Sequence, residues 1–331
     1  MSFDGKIADT VETPLVSVII NNFNYARFLP RAVDSALNQS YQPIEVVVVD
    51  DGSTDGSLDV IASYGIRIKS ILKVNGGQAS ALNAGVAASR GEVLCFLDSD
   101  DFFYPDKVAR VVEAFRQIGA STTPAMLHHV LAVESDERLD ICGRPYGHVS
   151  AARMQPVNHY LFAQRHRFLP YEGGPTSCLS VNRRLADLLF PLPEKGVRVC
   201  ADDFIVYAAP LVARVYAIGE ILGGYRVHGS NQWHHGSGRK SPEFMSILQS
   251  YLNAKLVEQG LSPVIVFEDS VHAWWDLAAD RRWLKLGLHM LRLLIRNRDR
   301  YTAHGAWQIV TMIAGHWVSV RWERARKLWV G

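Results

Sequence analysis

Short contiguous apolar runs alternate with stretches of helical spacing along the first hundred residues. Val16-Ser17-Val18-Ile19-Ile20 reads as a buried strand and stops at Asn21-Asn22-Phe23-Asn24. Ala26 to Leu37 then places Phe28, Leu29, Val33, Ala36 and Leu37 on one helical face. Ile44 to Val49 is a second strand. It runs into Asp50-Asp51-Gly52-Ser53-Thr54-Asp55, a set of turn formers with an N-cap signal for a helix over Ser57 to Ala62. Ile66 to Leu72 reads as a third strand, followed by Asn75-Gly76-Gly77-Gln78 and a helix from Ala79 to Ser89. Gly91 leads into Val93-Leu94-Cys95-Phe96-Leu97, a strand that ends in Asp98-Ser99-Asp100-Asp101. This alternation predicts right-handed βαβ units, hence an α/β fold with a mainly parallel sheet flanked by helices. Ligands gather at the carboxyl ends of such strands, and three polar clusters fall there.

The acidic cluster is the most specific of the three. Three carboxylates over four residues at the end of a buried strand need a partner, because an unpaired buried ion costs several kcal/mol. A divalent cation of the Mg²⁺ or Mn²⁺ kind suits hard oxygen ligands and leaves room for a substrate diphosphate. A solvated acidic turn is the alternative. The chain carries no Walker A pattern, and no G-x-G-x-x-G follows the first strand. Asn75 to Gln78 precedes a helix N-terminus, where phosphate can be met, or is an ordinary loop.

Four blocks together carry a family resemblance. They are Val-Ser-Val-Ile-Ile-Asn-Asn-Phe-Asn at 16–24, Val-Val-Asp-Asp-Gly-Ser-Thr-Asp at 48–55, Asn-Gly-Gly-Gln-Ala-Ser-Ala-Leu-Asn-Ala-Gly at 75–85, and Ser-Arg-Gly-Glu-Val-Leu-Cys-Phe-Leu-Asp-Ser-Asp-Asp at 89–101. In that order and spacing, Pro14 to Phe115 resembles the nucleotide-binding half of a family 2 glycosyltransferase with the Rossmann-like GT-A fold. The resemblance implies that Asn21 and Phe23 line the pocket for the nucleotide base and that Asp51 accepts from the base edge. A carboxylate that accepts an imide N–H favours uracil or thymine over cytosine. Gln78 and Ser99 fall among the donor-binding positions. Asp98 and Asp100 match the metal-binding D-x-D pair: Asp100 as a direct ligand, Asp98 as a ligand or as a partner of the ribose or a coordinated water. Asp50 and Asp55 read equally as turn and cap residues. Where relatives often carry Pro-Thr-Tyr-Asn after the first strand, this chain has Asn-Asn-Phe-Asn.

The second half is expected to supply the acceptor side. Pro170 to Ser177 is rich in glycine and hydroxyls, and resemblance makes Gly174 and Thr176 wall residues of the sugar pocket; a simple chain turn is the competing reading. Cys200-Ala201-Asp202-Asp203-Phe204 begins a helix expected over Phe204 to Val212. Two acids there complement a helix dipole. They also resemble the Glu-Asp motif whose second acid is the catalytic base, which makes Asp203 the base and Asp202 its supporting neighbour. Gly224 to Asn231 resembles the segment that closes the donor site, with His228 placed to complete a metal shell or touch the diphosphate. Arg226 reads as a diphosphate partner or as a strand-edge charge.

Composition is that of a globular protein. The chain has 331 residues, 48% of them hydrophobic and 21% charged, enough for a large core plus an accessory region. A net charge of +2 argues against a nucleic-acid partner. Cys95, Cys142, Cys178 and Cys200 contain no C-x-x-C pair, which suggests neither a zinc site nor a disulfide framework and points to a cytoplasmic setting. Met1 to Thr13 is a polar extension and not a leader of the secretory kind. Residues 271–331 hold 11 Lys and Arg against 4 Asp and Glu, and seven of the eight tryptophans. Tyr301 to Val320 lacks charge, but His304, Gln308 and His316 argue against a spanning helix. The tail therefore reads as helices that pack on the catalytic domain, form an oligomer interface, or lie against the inner face of a membrane.

The organisation expected is an extension over 1–13, a GT-A domain over 14–231, a loop or lid over 232–241, and a helical region over 242–331. The expected activity is inverting transfer of a sugar from a nucleotide-diphosphate sugar, with UDP as the favoured nucleotide, to an acceptor hydroxyl. The acceptor is expected to be a saccharide or a lipid-linked molecule. Two other readings stay open: a nucleotidyltransferase that makes the sugar nucleotide, and an inert sugar-nucleotide-binding module.

Overall fold

The computed structural model of the chain describes residues 13–120, 122–135, 153–157, 159–166, 169, 171–229, 231 and 240–267. The N-terminal extension up to residue 12, loop residues 232–239 and the basic, Trp-rich tail lie outside the described residues. Two compact units divide the chain. One comprises Met1–Gln164 and Leu169–Ile265, and the other Arg165–Phe168 and Val266–Gly331.

The N-terminal half follows its hydrophobic pattern. Strands β1 (Val16–Asn22), β2 (Ile44–Asp50) and β4 (Val93–Asp98) are buried almost throughout, with β1 paired in parallel to both others. Alternate side chains serve opposite faces. Val16, Val18, Ile20, Val46, Val48, Cys95 and Leu97 join the core with Leu29, Val33 and Ala36 of α1 (Leu29–Leu37) and Val108, Val111 and Val112 of α4 (Lys107–Gln117). Val47 and Val49 face Ala81 of α3 (Gln78–Ala88). A strand buried on both faces has no need of a polar alternation, which is why these runs are continuous.

Several boundaries differ from expectation, those of α1 and β3 for local reasons. α1 starts at Leu29, because Tyr25 to Phe28 forms a turn and Pro30 sits in the first helical turn. The third strand, β3, covers only Lys69–Leu72: a tight turn at Gly65–Arg67 precedes it, with Gly65 at φ 52°. The α2 helix runs over Ser57–Tyr64.

Beyond β4 the chain folds non-locally. After it come the short β5 (Phe102–Phe103), β6 (Ala125–Ser135), β7 (Arg153–Val157), α5 (Tyr160–His166), β8 (Leu179–Asn182) and α6 (Arg183–Leu189). They continue with α7 (Asp202–Val212), β9 (Arg214–Val227) and α8 (Pro242–Glu258). The described strands form one nine-stranded mixed sheet in the order β3-β2-β1-β4-β8-β6-β9-β5, with β7 paired to β9. β8 runs antiparallel to β4 and β6, while β6 and β9 are parallel. β5 approaches β9 closely because Gly224 lies under the Phe102 ring, where an added Cβ would come within 2.2 Å of it. The α7 helix begins at Asp202, so both acids sit in its first turn instead of before it. α8 packs on α7 through Phe204, whose ring lies 5.5 Å from Phe244 and 5.3 Å from Tyr251. No described helix is long and apolar enough to cross a membrane.

Candidate active site

The carboxyl ends of β1 and β2 are laced together by short polar side chains. Asn22 donates to the Asp50 carboxylate at 2.8 Å, and the Asn24 side-chain oxygen accepts from the Thr54 amide at 2.7 Å. Asn24 adopts φ 57°, a left-handed conformation that asparagine tolerates. Asp55 accepts from the amides of Ala26 and Ser57, both at 2.9 Å. Asp50 and Asp55 thus hold the loops, as turn and cap residues do.

Asp51 is buried and takes three donors from the loop after β3. Lys73 lies 2.7 Å from one oxygen, which the Gly76 amide also reaches at 2.9 Å, and the Gly77 amide reaches the other at 2.7 Å. Its carboxylate therefore builds the loop that leads into α3. Gly77 is needed there: at φ 89° an added Cβ would come within 2.6 Å of the Arg198 Cα. Phe23 is partly exposed at this rim, and Asn21 donates to Asp98.

Gln78, the first residue of α3, ties three segments together. Its amide nitrogen donates to Asp98 at 3.2 Å and to the Thr176 hydroxyl at 3.1 Å. Its side-chain oxygen accepts from the Ala201 amide at 2.9 Å, at the entrance to α7. The side chain is thus engaged with protein on both its donor and its acceptor side. Thr176 is buried in a 3₁₀ turn, and the neighbouring Gly174 accepts from the Tyr171 hydroxyl at 3.2 Å.

The acids after β4 separate into distinct partnerships. The Asp98 carboxyl is pushed up to about 7, by desolvation first and then by the charge of Asp100, despite bonds from Asn21, Thr176 and Gln78. Asp100 meets His228 Nε2 at 3.1 Å and Asn231 at 3.3 Å. His228 stacks on Phe28 at a centroid distance of 4.2 Å, with Tyr25 edge-on at 5.6 Å. Asp101 is buried behind them. It accepts from Ser177 at 2.6 Å and from the Arg226 amide at 3.0 Å, and burial raises its carboxyl well above the usual range. Ser177 in turn accepts from the Asp98 amide at 3.1 Å, and Ser99 is buried within the same turn. The Arg226 guanidinium lies over Phe28 at 5.0 Å and Phe102 at 5.8 Å.

The α7 acids form a further acidic centre. Asp202 is pushed up to about 7 by burial, by Asp203 and by Asp98, which places it in the electrostatic field of the β4 cluster. Asp203 is buried and pairs with Lys240 at 2.7 Å. The structure thus brings Asn21, Gln78, Asp98, Thr176 and the start of α7 into one hydrogen-bonded set, and Asp100 with His228 into a second one beside it. Ser177 and Asn231 fall in the segments Pro170 to Ser177 and Gly224 to Asn231 that the sequence singled out, but their partners Asp101 and Asp100 lie 76 and 131 positions away, and Lys240 carried no signal of its pairing with Asp203.

Residues 17–156 match the family described as Glycosyl transferase family 2. An uncharacterised glycosyltransferase of Nostoc sp. is 34% identical over 260 residues, covering 74% of this chain and 76% of the relative. The chain therefore belongs to glycosyl transferase family 2. A chondroitin synthase of Pasteurella multocida is 46% identical over 105 residues, which are 31% of this chain but 11% of that much longer protein. Among solved structures, S. aureus TarS in complex with UDP-GlcNAc aligns at TM-score 0.53 with 18% identity, covering 73% of this chain and 66% of that one. The TarS complex with UDP aligns at 0.52 with 19% identity and covers 65% of its chain. These likenesses show the shared GT-A fold.

Proposed function

We propose that the chain is an inverting glycosyltransferase that moves a sugar from a UDP-linked donor to a hydroxyl of a saccharide or lipid-linked acceptor. The observation that carries this reading is the Gln78 side chain, which ties the Asp98 carboxylate to the entrance of the helix bearing Asp202 and Asp203. Two acidic centres held in fixed relation are what a displacement at an anomeric carbon needs, one on each side of the sugar. The TarS complexes with UDP and UDP-GlcNAc favour a uridine nucleotide by analogy of fold.

No group of three or more metal-ligating side chains is assembled among the described residues. Asp100 and His228 nevertheless stand 3.1 Å apart beside Asp98, whose carboxyl is raised by burial first and then by the Asp100 charge. A cation held by one or two carboxylates and completed by substrate phosphates needs no full protein cage. The residues therefore fit Mn²⁺ or Mg²⁺, with Asp100 and His228 as holders and Asp98 close by. When bound, the cation offsets charge that develops on the leaving diphosphate. The protein's own part is to orient the donor between Asn21, Phe23 and the Asp51-built loop. Gly174 and Thr176 wall the sugar, and the Asp203 carboxylate takes the acceptor proton while Asp202 supports it. In the chain as a whole, the basic, Trp-rich tail suits a site of action at the cytoplasmic face of a membrane.

Product analysis on a panel of UDP-sugars with saccharide acceptors and Mn²⁺ tests the proposal. Transfer with release of UDP supports it, and Asp203→Asn is expected to lower the transfer rate by about 10²–10⁴-fold while donor binding is retained. Pyrophosphate release would favour a nucleotidyltransferase, and tight UDP binding with neither product a binding module.

A further inference from the structure

The Lys240–Asp203 pair has no counterpart in the roles proposed above. Lys240 lies immediately before Ser241, the residue that caps α8 by accepting from the Phe244 amide at 3.1 Å. Its ammonium reaches one Asp203 oxygen at 2.7 Å and lies 5.0 Å from the Phe244 ring centroid. Phe244 packs on Phe204, the residue after Asp203, so the helix cap, the ring and the ion pair fix one another. Lys240 both pairs with and hydrogen-bonds the Asp203 carboxylate.

We propose that Lys240 is a positioning residue for the proton-accepting group: its ammonium anchors one oxygen of Asp203 and keeps the carboxylate ionised, leaving the second oxygen to take the acceptor's proton. This rests on the reading of Asp203 as the base. The surroundings explain why such an anchor is needed. Asp203 is buried, and the other titratable groups around it are Asp202 and Tyr207 on its own helix, Tyr171 from the loop that leads to β8, and Cys200 just before the helix. None of these supplies positive charge. Burial raises the Asp203 carboxyl and Lys240 works against that rise. Burial likewise opposes the charged form of Lys240, and Asp203 and Cys200 more than restore it. An uncharged residue at position 240 would leave two adjacent buried carboxyls, Asp202 and Asp203, competing for one charge.

The test uses the full chain with Lys240→Met and Lys240→Arg. The first readout is the ¹³C carboxyl titration of Asp203, assigned by its loss in Asp203→Asn, and it requires no substrate. The expected result is a midpoint about one pH unit or more higher in Lys240→Met and close to the parent in Lys240→Arg. The second readout is the pH profile of UDP release from UDP-sugars. Its acidic limb should move upward by the same amount in Lys240→Met, with the arginine variant restoring it. Should Lys240→Met fail to fold, the parental Lys240 ¹⁵Nζ shift must itself titrate with the Asp203 midpoint. An unchanged Asp203 midpoint, an uncoupled Nζ shift, or faster turnover in Lys240→Met would overturn the inference. A shifted midpoint with an unmoved rate profile would overturn it through the base assignment, with the glycosyltransferase reading still decided by product analysis.

Discussion

Replacing Gln78 by leucine removes the side chain that joins the two halves of the site. Three bonds are lost: to Asp98 at 3.2 Å, to Thr176 at 3.1 Å, and from the Ala201 amide at 2.9 Å. A neutral hydrogen bond contributes about 1 kcal/mol net and one to a carboxylate about 1.5–3 kcal/mol, so the sum is about 3–5 kcal/mol before relaxation. Leucine nearly fills the volume, and water reaching the cleft restores part of the loss. A destabilisation of about 2–3 kcal/mol is therefore expected, or roughly 4–10 °C in melting temperature. The Asp98 carboxyl would also rise further, because Gln78 is among the donors that hold it down. Thermal and urea unfolding followed by circular dichroism measures the first effect. Calorimetric titration with UDP and Mn²⁺ at pH 7 measures the second, where affinity should fall at least tenfold. A Gln78→Leu chain that melts within about 1 °C of the parent and binds UDP equally well would refute the hub, and with it the mechanical link between the acidic centres.

Other expectations follow from the same geometry. Asp98 and Asp202 have carboxyls pushed up to about 7, so the folded chain holds protons that the unfolded chain releases above its ordinary range near pH 4. Their stabilising contribution is complete at acidic pH and lost as pH rises through about 7. A divalent cation needs the ionised form, and Mn²⁺ should therefore raise the melting temperature at pH 8 and scarcely at pH 5.5; equal shifts would contradict this. Asp100→Ala should abolish the Mn²⁺-dependent part of UDP affinity, as read by calorimetry with and without EDTA. Gly77→Ala should cost about 2–3 kcal/mol in urea unfolding, since φ 89° is strained for alanine and its Cβ would meet the Arg198 backbone at 2.6 Å.

What the sequence made legible, and what it did not, divides along contact range. The strands that end at Asn22, Asp50 and Asp98 could be read from contiguous apolar runs, because a strand buried on both faces is hydrophobic throughout. The turn chemistry of Asp50 and Asp55 was equally local. The antiparallel insertion of β8 between β4 and β6 was not legible, since four residues carry no pairing information. Nor was the long β9, whose Gly223 and Gly224 serve close packing against Phe102. At the site, resemblance named the acids without showing their partners. Asp51 was expected to accept from a base edge, and its oxygens also accept from Lys73, Gly76 and Gly77. Gln78 was expected at the donor and holds Asp98, Thr176 and Ala201 together. Such roles depend on residues about 20 to 120 positions away, which no local pattern encodes.

Anomalous diffraction at the manganese edge, from crystals grown with UDP and Mn²⁺, is the most direct test of the site as a whole. A single strong peak within bonding distance of Asp100 and of the diphosphate, with Asp203 across the cleft from it, is the predicted result. Bound UDP with its phosphates remote from Asp98, Asp100 and His228, or manganese held elsewhere, would contradict the account.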